Sequence, residues 1–566
     1  MEEIRIWDAV PGQDFDEDHD IKELHSWFLD FSHSWPPLTP LMSWFWVKIC
    51  AESQILASSA ELSVPRTKGT EKRTRWGAAY NAILVIRDEE EIKKREIKFK
   101  EAMRPYIEDF DAWWEPSKAS LMKVYEKAKE YDPDKASNSE LFQYLFELIE
   151  MNRRMWAVHG PGMCIAFNGW VMFEELCKKL FGLDDQSPEF LKLMVGFESK
   201  IFQIDKRLWE LAQEAASMGL KDLFMITNSK EILANLTQTP NGKDWLKKFH
   251  EFLIEDGWRM QRMHVLEEPT WIENPTPVMM IMKAFLSKGG DWELDEIRKR
   301  LTKEREEAVS TIIKRVPEER KNEFLKLLRF AQKCGAWSEE HTYYCEMYCH
   351  ALMRRGFLGI GRRLAQAGTI DRSDDVFFLN PDEIERVMMV PEYHDLRYIT
   401  NRRRKEWEEW HKMDRPIVLT DRGSLKEALE KDLLPAMDPV PSKVTVGPPP
   451  VVRPELNADL YGIFGAPGFA EGTARVIMSS EHLSDIQPGD ILIAPATNTS
   501  WTPYYALIKG VIINGGGTLA HASCVGREWG IPVIANTFEG TKKIKTGQRL
   551  RVDGNQQVVY ILDKEL

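Results

Sequence analysis

A run of prolines, Pro435, Pro439, Pro441, Pro448-Pro449-Pro450 and Pro454, divides the chain into two stretches of different texture. Proline has no backbone N–H and a fixed φ, so such a segment cannot join a helix or a sheet ladder. It reads instead as an extended, semi-stiff spacer between two independently folded units. Upstream, Glu, Lys, Leu, Met and Trp recur at helical spacing, and residues 139–155, 189–218, 293–315, 318–367 and 382–389 predict helices. Downstream, short β-rich runs alternate with turn residues. Residues 472–478, 490–494, 511–514, 532–535, 549–553 and 558–562 predict strands, with helical pieces at 502–508 and 522–529 among them. The expected architecture is multidomain: a large, mostly α-helical domain over residues 1–434, a linker over 435–456 and a small α/β domain over 457–566.

With 566 residues and 43% hydrophobic content, the chain can bury several cores. A net charge of −13 argues against a nucleic-acid or anionic-membrane surface. The one basic run, Asn401 to Lys405, is followed by Glu406, Glu408 and Glu409 at helical spacing and reads as a solvated helix face. Seven cysteines, an odd number spread thinly, point to reduced thiols. Cys345 and Cys349 lie one turn apart with His341 and His350 nearby, but on a long helical pattern; they are expected to be ordinary thiols, with no metal site. No run of about 18 apolar residues occurs and the start, Met1-Glu2-Glu3, is acidic, so the expectation is a cytoplasmic protein with neither a membrane nor a nucleic-acid partner.

Chemistry concentrates at His521. Apolar residues 510–513 read as a buried strand, Gly515, Gly516 and Gly517 allow a tight turn, and residues 522–529 read as a helix stopped by Gly530 and Pro532. A histidine at a helix N-terminus sits among free N–H groups and the positive end of the dipole, a position suited to an anion and to an imidazole that carries a phosphoryl group. By spacing alone, the other reading is a histidine that caps the turn.

The segment Gly516-Gly517-Thr518-Leu519-Ala520-His521-Ala522-Ser523, then Arg527-Glu528, then Gly530-Ile531-Pro532, resembles the phosphohistidine domain of the phosphoenolpyruvate-utilising enzymes. So do Tyr461 to Gly468, Glu471 to Val476, Gln487 to Leu492 and Thr502-Pro503, which together cover nearly all of 458–566. The resemblance implies a swivelling domain with His521 as the phosphohistidine, Gly516 and Gly517 cradling phosphate, and Thr518 and Arg527 assisting. It departs at Ala520, where the family carries a hydroxyl; Thr518 is the candidate replacement. Upstream, Asp374 to Leu379, Asp382-Glu383-Ile384, Arg402 to Trp410 and Pro37 to Leu41 are similar to the substrate-binding half of rifampicin phosphotransferases and phenylphosphate synthases.

Such enzymes move a phosphoryl group from a nucleotide station, through the histidine, to an acceptor station. The chain shows no ATP-grasp-like module and no Walker-type loop. The resemblance therefore implies ATP and Mg²⁺ bound mainly by an ATP-grasp subunit on a separate chain, as in phenylphosphate synthase, with a small phenolic or aromatic acceptor. Of 20 tryptophans, 18 precede the linker. Trp35 and Trp44, near His33 and Phe45, are candidate walls of a phenol-sized pocket, the other reading being helix-packing core. The stretch from Asp256 to His264 resembles the Gly-His-Arg loop of rifampicin enzymes with Trp258 in place of their histidine. Arg259 and Arg262 there are either charge stabilisers for a phosphoryl group or surface ion pairs. His159, leading into Gly160-Pro161-Gly162, is expected at a helix break, either as a general base or as a structural histidine.

Overall fold

The computed structural model describes residues 14–563 apart from 18, 31–32, 34–36, 261, 263, 291–292, 437–442 and 445–446. They form two compact units. The first comprises Met1–Ile165, Met263–Glu268 and Tyr344–Asp438; the second comprises Ala166–Arg262, Pro269–Tyr343 and Pro439–Leu566. One boundary between units, Asp438/Pro439, falls within the proline-rich segment, but the unit downstream of it also includes helices from well upstream. Prolines mark where ladders stop, but not which apolar helix faces are left to be covered.

The first unit is mostly helical, with Glu89–Glu108, Asp111–Glu130, Tyr348–Gln366 and Arg397–Trp410 among its helices. It also holds a sheet that periodicity did not predict. Its strands are β1 (Ser26–Leu29), β2 (Thr67–Arg75), β3 (Ala78–Val85) and β4 (Val418–Thr420), in the antiparallel order β2-β3-β1-β4. β2 reads Thr-Lys-Gly-Thr-Glu-Lys-Arg-Thr-Arg and buries only part of one face, so its alternation is nearly invisible in sequence.

Two expected helices are interrupted. Over 318–367 the chain forms a single 3₁₀ turn, the helix Lys321–His341, a π-helical stretch Thr342–Met347 and the helix Tyr348–Gln366. Over 189–218 it forms Pro188–Lys192 and Lys200–Ser217, parted around Gly196, whose φ of +80° and close approach to Thr302 require glycine. The opposite correction applies at His159, where the expected break is absent. Asn138–Phe181 is one helix of 44 residues containing Pro161. The Ser53 hydroxyl donates to the Trp156 carbonyl in the turn before the proline, and a Cβ on Gly160 would lie 2.1 Å from Ser53 Oγ. Here the glycine serves close packing, and the neighbour's hydroxyl supports the backbone beside the proline.

In the second unit, helices such as Lys200–Ser217, Pro240–Asp256, Thr276–Lys288 and Glu293–Ile312 accompany an eight-stranded sheet. Its strands are β5 (Leu460–Tyr461), β6 (Ile463–Ala466), β7 (Phe469–Val476), β8 (Ile491–Ala494), β9 (Gly510–Ile513), β10 (Val533–Ala535), β11 (Arg549–Asp553) and β12 (Val558–Ile561), in the order β5-β12-β11-β7-β8-β9-β10-β6. The run β7-β8-β9-β10 is parallel and the flanks are antiparallel. Ile491, Ile493, Ile512, Ile534 and Val552 fill its core, each burial contributing about 1.5–3 kcal/mol. Among the described residues, no helix is long and apolar enough to cross a membrane.

Candidate active site

Parallel pairing of β8 with β9 aligns Ala494 with Ile513, so the loops that follow leave the sheet at one edge, where open α/β sheets place ligands. The first loop carries Thr497 and the second leads to His521, the opening residue of the helix His521–Trp529. Gly516, at φ +99°, makes the turn possible; the Ser523 hydroxyl donates to the Gly517 carbonyl, and Gly530 closes the helix in the left-handed region. The helix packs on β6 and β10 and against Glu293–Ile312.

The His521 ring is mostly enclosed, with 12% of the side chain exposed. Nδ1 lies 2.9 Å from Thr497 Oγ1, and Nε2 faces Thr502 Oγ1 at 3.5 Å and Glu339 Oε2 at 3.7 Å. Burial, reinforced by the Arg259 guanidinium, pushes the imidazole pKa down to about 3, so the ring is neutral at ordinary pH and keeps a nucleophilic lone pair. Arg259 is wholly buried. Its Nη1 pairs with Asp205 Oδ1 at 2.7 Å, Nη2 donates to the Thr499 carbonyl, and the guanidinium lies over Trp271. Its Nε–H has no hydrogen-bond partner among the described residues. Sequence reasoning missed Thr497 and Glu339. Thr497 was findable in principle, as the hydroxyl three residues past a strand whose parallel neighbour leads to the histidine. Glu339, within a long helical pattern, carried no signal.

Several expectations need correction. The Thr518 hydroxyl donates to Asp185 Oδ2 at 3.1 Å, so it does not replace the hydroxyl missing at Ala520; Thr497 holds the ring instead. Arg527 is a structural cation, donating to the carbonyls of Gly465 (2.8 Å) and Thr518 (2.7 Å) and lying over Trp170. Gly516 and Gly517 do not form an open phosphate cradle. The Gly517 N–H donates to the Val444 carbonyl, and a Cβ there would sit 2.2 Å from the Lys443 carbonyl oxygen. Lys443 in turn pairs with Glu174 and Asp185. Of the acceptor candidates, Arg259, Arg262 and Trp258 belong to the second unit, and His159 and Trp44 to the first. Arg262 is buried. The Trp258 indole donates to the Ile254 carbonyl in the last turn of the preceding helix, Pro240–Asp256. Trp44 packs edge-on against Phe45, and His159 Nε2 stands 3.0 Å from Glu346 Oε1. Trp35 lies outside the described residues.

Glu528 also anchors the His521 helix, accepting the N–H groups of Gly196 and Phe197 at 3.0–3.1 Å. Burial pushes its carboxyl up to about 7, outweighing those amides and Arg527. A carboxyl whose folded pKa exceeds its unfolded value binds more protons when folded. Its contribution is full below about 4.5 and is lost as pH rises through about 7. Glu528→Gln keeps an acceptor oxygen and cannot ionise, so its thermal midpoint is expected to rise above wild type increasingly from pH 5 to 8. A constant difference over that range would contradict this account of Glu528.

Two family models match parts of the chain. Residues 486–557 match the PEP-utilising enzyme, mobile domain, and residues 159–339 match the rifampicin phosphotransferase fourth domain. The chain is thus similar to rifampicin phosphotransferases and carries a match to the PEP-utilising mobile domain, at modest identity. It is 25% identical over 348 residues to the rifampicin phosphotransferase of Bacillus subtilis (strain 168), covering 60% of this chain and 37% of that protein. It is 26% identical over 385 residues to the phosphotransferase YvkC of the same organism, covering 67% and 44%. To the prodigiosin synthesizing transferase PigC of Serratia marcescens it is 27% identical over 354 residues, covering 61% and 36%. The chain therefore spans less than half the length of each of these relatives.

Proposed function

We propose that this chain is the phosphohistidine-carrying part of an ATP-dependent small-molecule phosphotransferase, with a phenolic or aromatic hydroxyl as acceptor, as in phenylphosphate synthase. The observation that carries the reading is His521 itself: neutral, held at Nδ1 by Thr497 and standing at a helix N-terminus beside a buried arginine. ATP and Mg²⁺, bound by an ATP-grasp subunit on a separate chain, supply the phosphoryl group, with AMP and phosphate as products.

With Nδ1–H donated to Thr497 Oγ1, the Nε2 lone pair attacks the β-phosphorus; an N–P bond forms as the P–O bond to AMP breaks, and water then cleaves the β–γ P–O bond to release phosphate, leaving the β-phosphoryl group on Nε2. The phosphorylated histidine then meets an acceptor hydroxyl in line. The new O–P bond forms, the N–P pair returns to Nε2, and the Glu339 carboxylate takes the hydroxyl proton. The Arg259 Nε–H and cation offset charge on the equatorial oxygens. Because the ring is mostly covered, residues 457–566 must leave their helical partners to reach the nucleotide, swinging on 435–456. The ties of Glu528 to Gly196 and Phe197, of Thr518 to Asp185 and of Thr499 to Arg259 are among those that break.

Thr497→Val removes the partner of Nδ1. Losing such a hydrogen bond costs about 1–3 kcal/mol, so single-turnover labelling of His521 is expected to slow about tenfold or more, with Thr497→Ser retaining most of the rate. An unchanged rate in the valine variant would remove Thr497 from the mechanism.

The acceptor class is tested by combining the chain with the ATP-grasp protein, ATP, Mg²⁺ and a panel of phenols, aliphatic alcohols and macrocyclic polyols. The expected result is AMP, phosphate and one aryl phosphate in equal amounts. Turnover with macrocycles alone would move the protein to a rifampicin-type role. No AMP with any acceptor would leave a non-catalytic carrier.

A further inference from the structure

In the first unit, three imidazoles converge on one carboxylate oxygen. His159 Nε2 lies 3.0 Å, His264 Nε2 3.5 Å and His33 Nε2 3.8 Å from Glu346 Oε1. The donors come from four separate parts of the chain: the turn after β1, the helix Asn138–Phe181, the short segment 263–268 and the π-helical stretch Thr342–Met347. We infer that His33, His159, His264 and Glu346 form a site for one divalent transition-metal ion.

The spacing fits a shared ion. Metal–nitrogen and metal–oxygen bonds of about 2.0–2.2 Å place neighbouring donors roughly 3.0–3.5 Å apart, and the potential ligand atoms of His33, His264 and Glu346 all lie within 4.8 Å of one another. An N₃O set of imidazoles and one carboxylate suits zinc, iron(II), cobalt(II) or manganese(II) rather than calcium or magnesium.

The surroundings are those of a ligand sphere. Asp30 holds His33 Nδ1 at 2.9 Å and accepts from Asn81, which in turn accepts from Lys72. That chain fixes the Nδ1–H tautomer of His33 and aims the Nε2 lone pair at the cluster, as carboxylate partners do for metal-bound histidines. His264 is fully buried, neither ring nitrogen has a good hydrogen bond among the described residues, and its backbone is held at φ +59°, a conformation a non-glycine residue adopts at a cost. Trp46 and Trp156 wall the cluster against His33, His264 and His159. Asp30 reaches the Lys72 ammonium through Asn81, while Glu346 brings a second buried carboxylate that a cation offsets. A protonated histidine paired with Glu346 is the competing arrangement, and it predicts no ion.

The inference does not depend on phosphoryl transfer, so the test reads the metal directly. The full chain is stripped with a chelator, dialysed and titrated with Co²⁺ alone. Visible ligand-field absorption is expected to saturate at one equivalent, to bleach on addition of Zn²⁺, and to vanish in Glu346→Gln and His264→Ala. Zn²⁺ is also expected to raise the thermal midpoint of the stripped wild-type chain. Circular dichroism checks that the variants fold; if His264→Ala does not, His33→Gln, at a side chain 13% exposed, decides the same question. No saturable absorption in the wild type, or equal absorption in the folded variants, overturns the site.

Discussion

Replacing His521 with glutamine is expected to reduce acceptor phosphorylation to the uncatalysed rate while leaving the protein folded. In the proposed relay the nucleotide and the acceptor never share a site, so one nitrogen has no detour. The fold should tolerate the change. The ring is already neutral, so no buried charge is lost, and a glutamine amide can still reach Thr497. Unfolding midpoints and circular dichroism should match wild type while AMP formation with acceptor present falls to background. Residual turnover of more than a trace would mean that another residue carries the group.

Arg259→Ala is expected to have the largest effect on stability. Arg259 and Asp205 are both fully buried and 2.7 Å apart, and removing one partner of such a pair costs about 3–5 kcal/mol because the other charge is left without compensation. Even with Arg259 present, burial holds the Asp205 carboxyl up at about 6. Without the guanidinium it rises further, so the folded variant takes up a proton that the unfolded chain lacks. The deficit should therefore be largest at pH 8 and shrink as pH is lowered towards 6, below which Asp205 is protonated in wild type as well. Asp205→Ala with Arg259→Ala should cost less than the sum of the two single changes. In the proposed relay Arg259 offsets charge at the acceptor station, so the single variant should also slow transfer from labelled His521 to the acceptor. Denaturant titrations at two pH values decide the first point: a deficit independent of pH would contradict the buried-pair account.

The legible parts of the sequence were those whose physics is local. The strand–turn–helix around His521 follows from an apolar run, three glycines and a Gly-Ile-Pro stop, and each of its neighbours in the parallel sheet is a short apolar run. The strands predicted over 472–562 overlap β7 to β12 to within a few residues. What stayed hidden depends on packing between distant segments. The charged strand β2 lacks a clear alternation, Gly160-Pro161-Gly162 resembles a breaker until Ser53 is seen beside it, and the turn glycines resemble a cradle until Lys443 and Val444 are seen lying on them. The same holds for the sites. His521 stands out in sequence, whereas Thr497 and Glu339 meet it only through the fold, and His33, His159, His264 and Glu346 lie too far apart along the chain for any spacing rule to join them. Trp44 was singled out as a pocket wall, but two residues on it is Trp46 that stacks beside His33 and His264.

The most direct measurement is the site of covalent label after one turnover without acceptor. The chain is mixed with the proposed ATP-grasp partner, Mg²⁺ and ATP labelled at either the β or the γ phosphorus, and the labelled peptide is identified. Label from the β position alone, stable to base, labile to acid and confined to the peptide bearing His521, is the predicted result. Label from the γ position, label on another residue, or an unlabelled wild-type chain would contradict the relay.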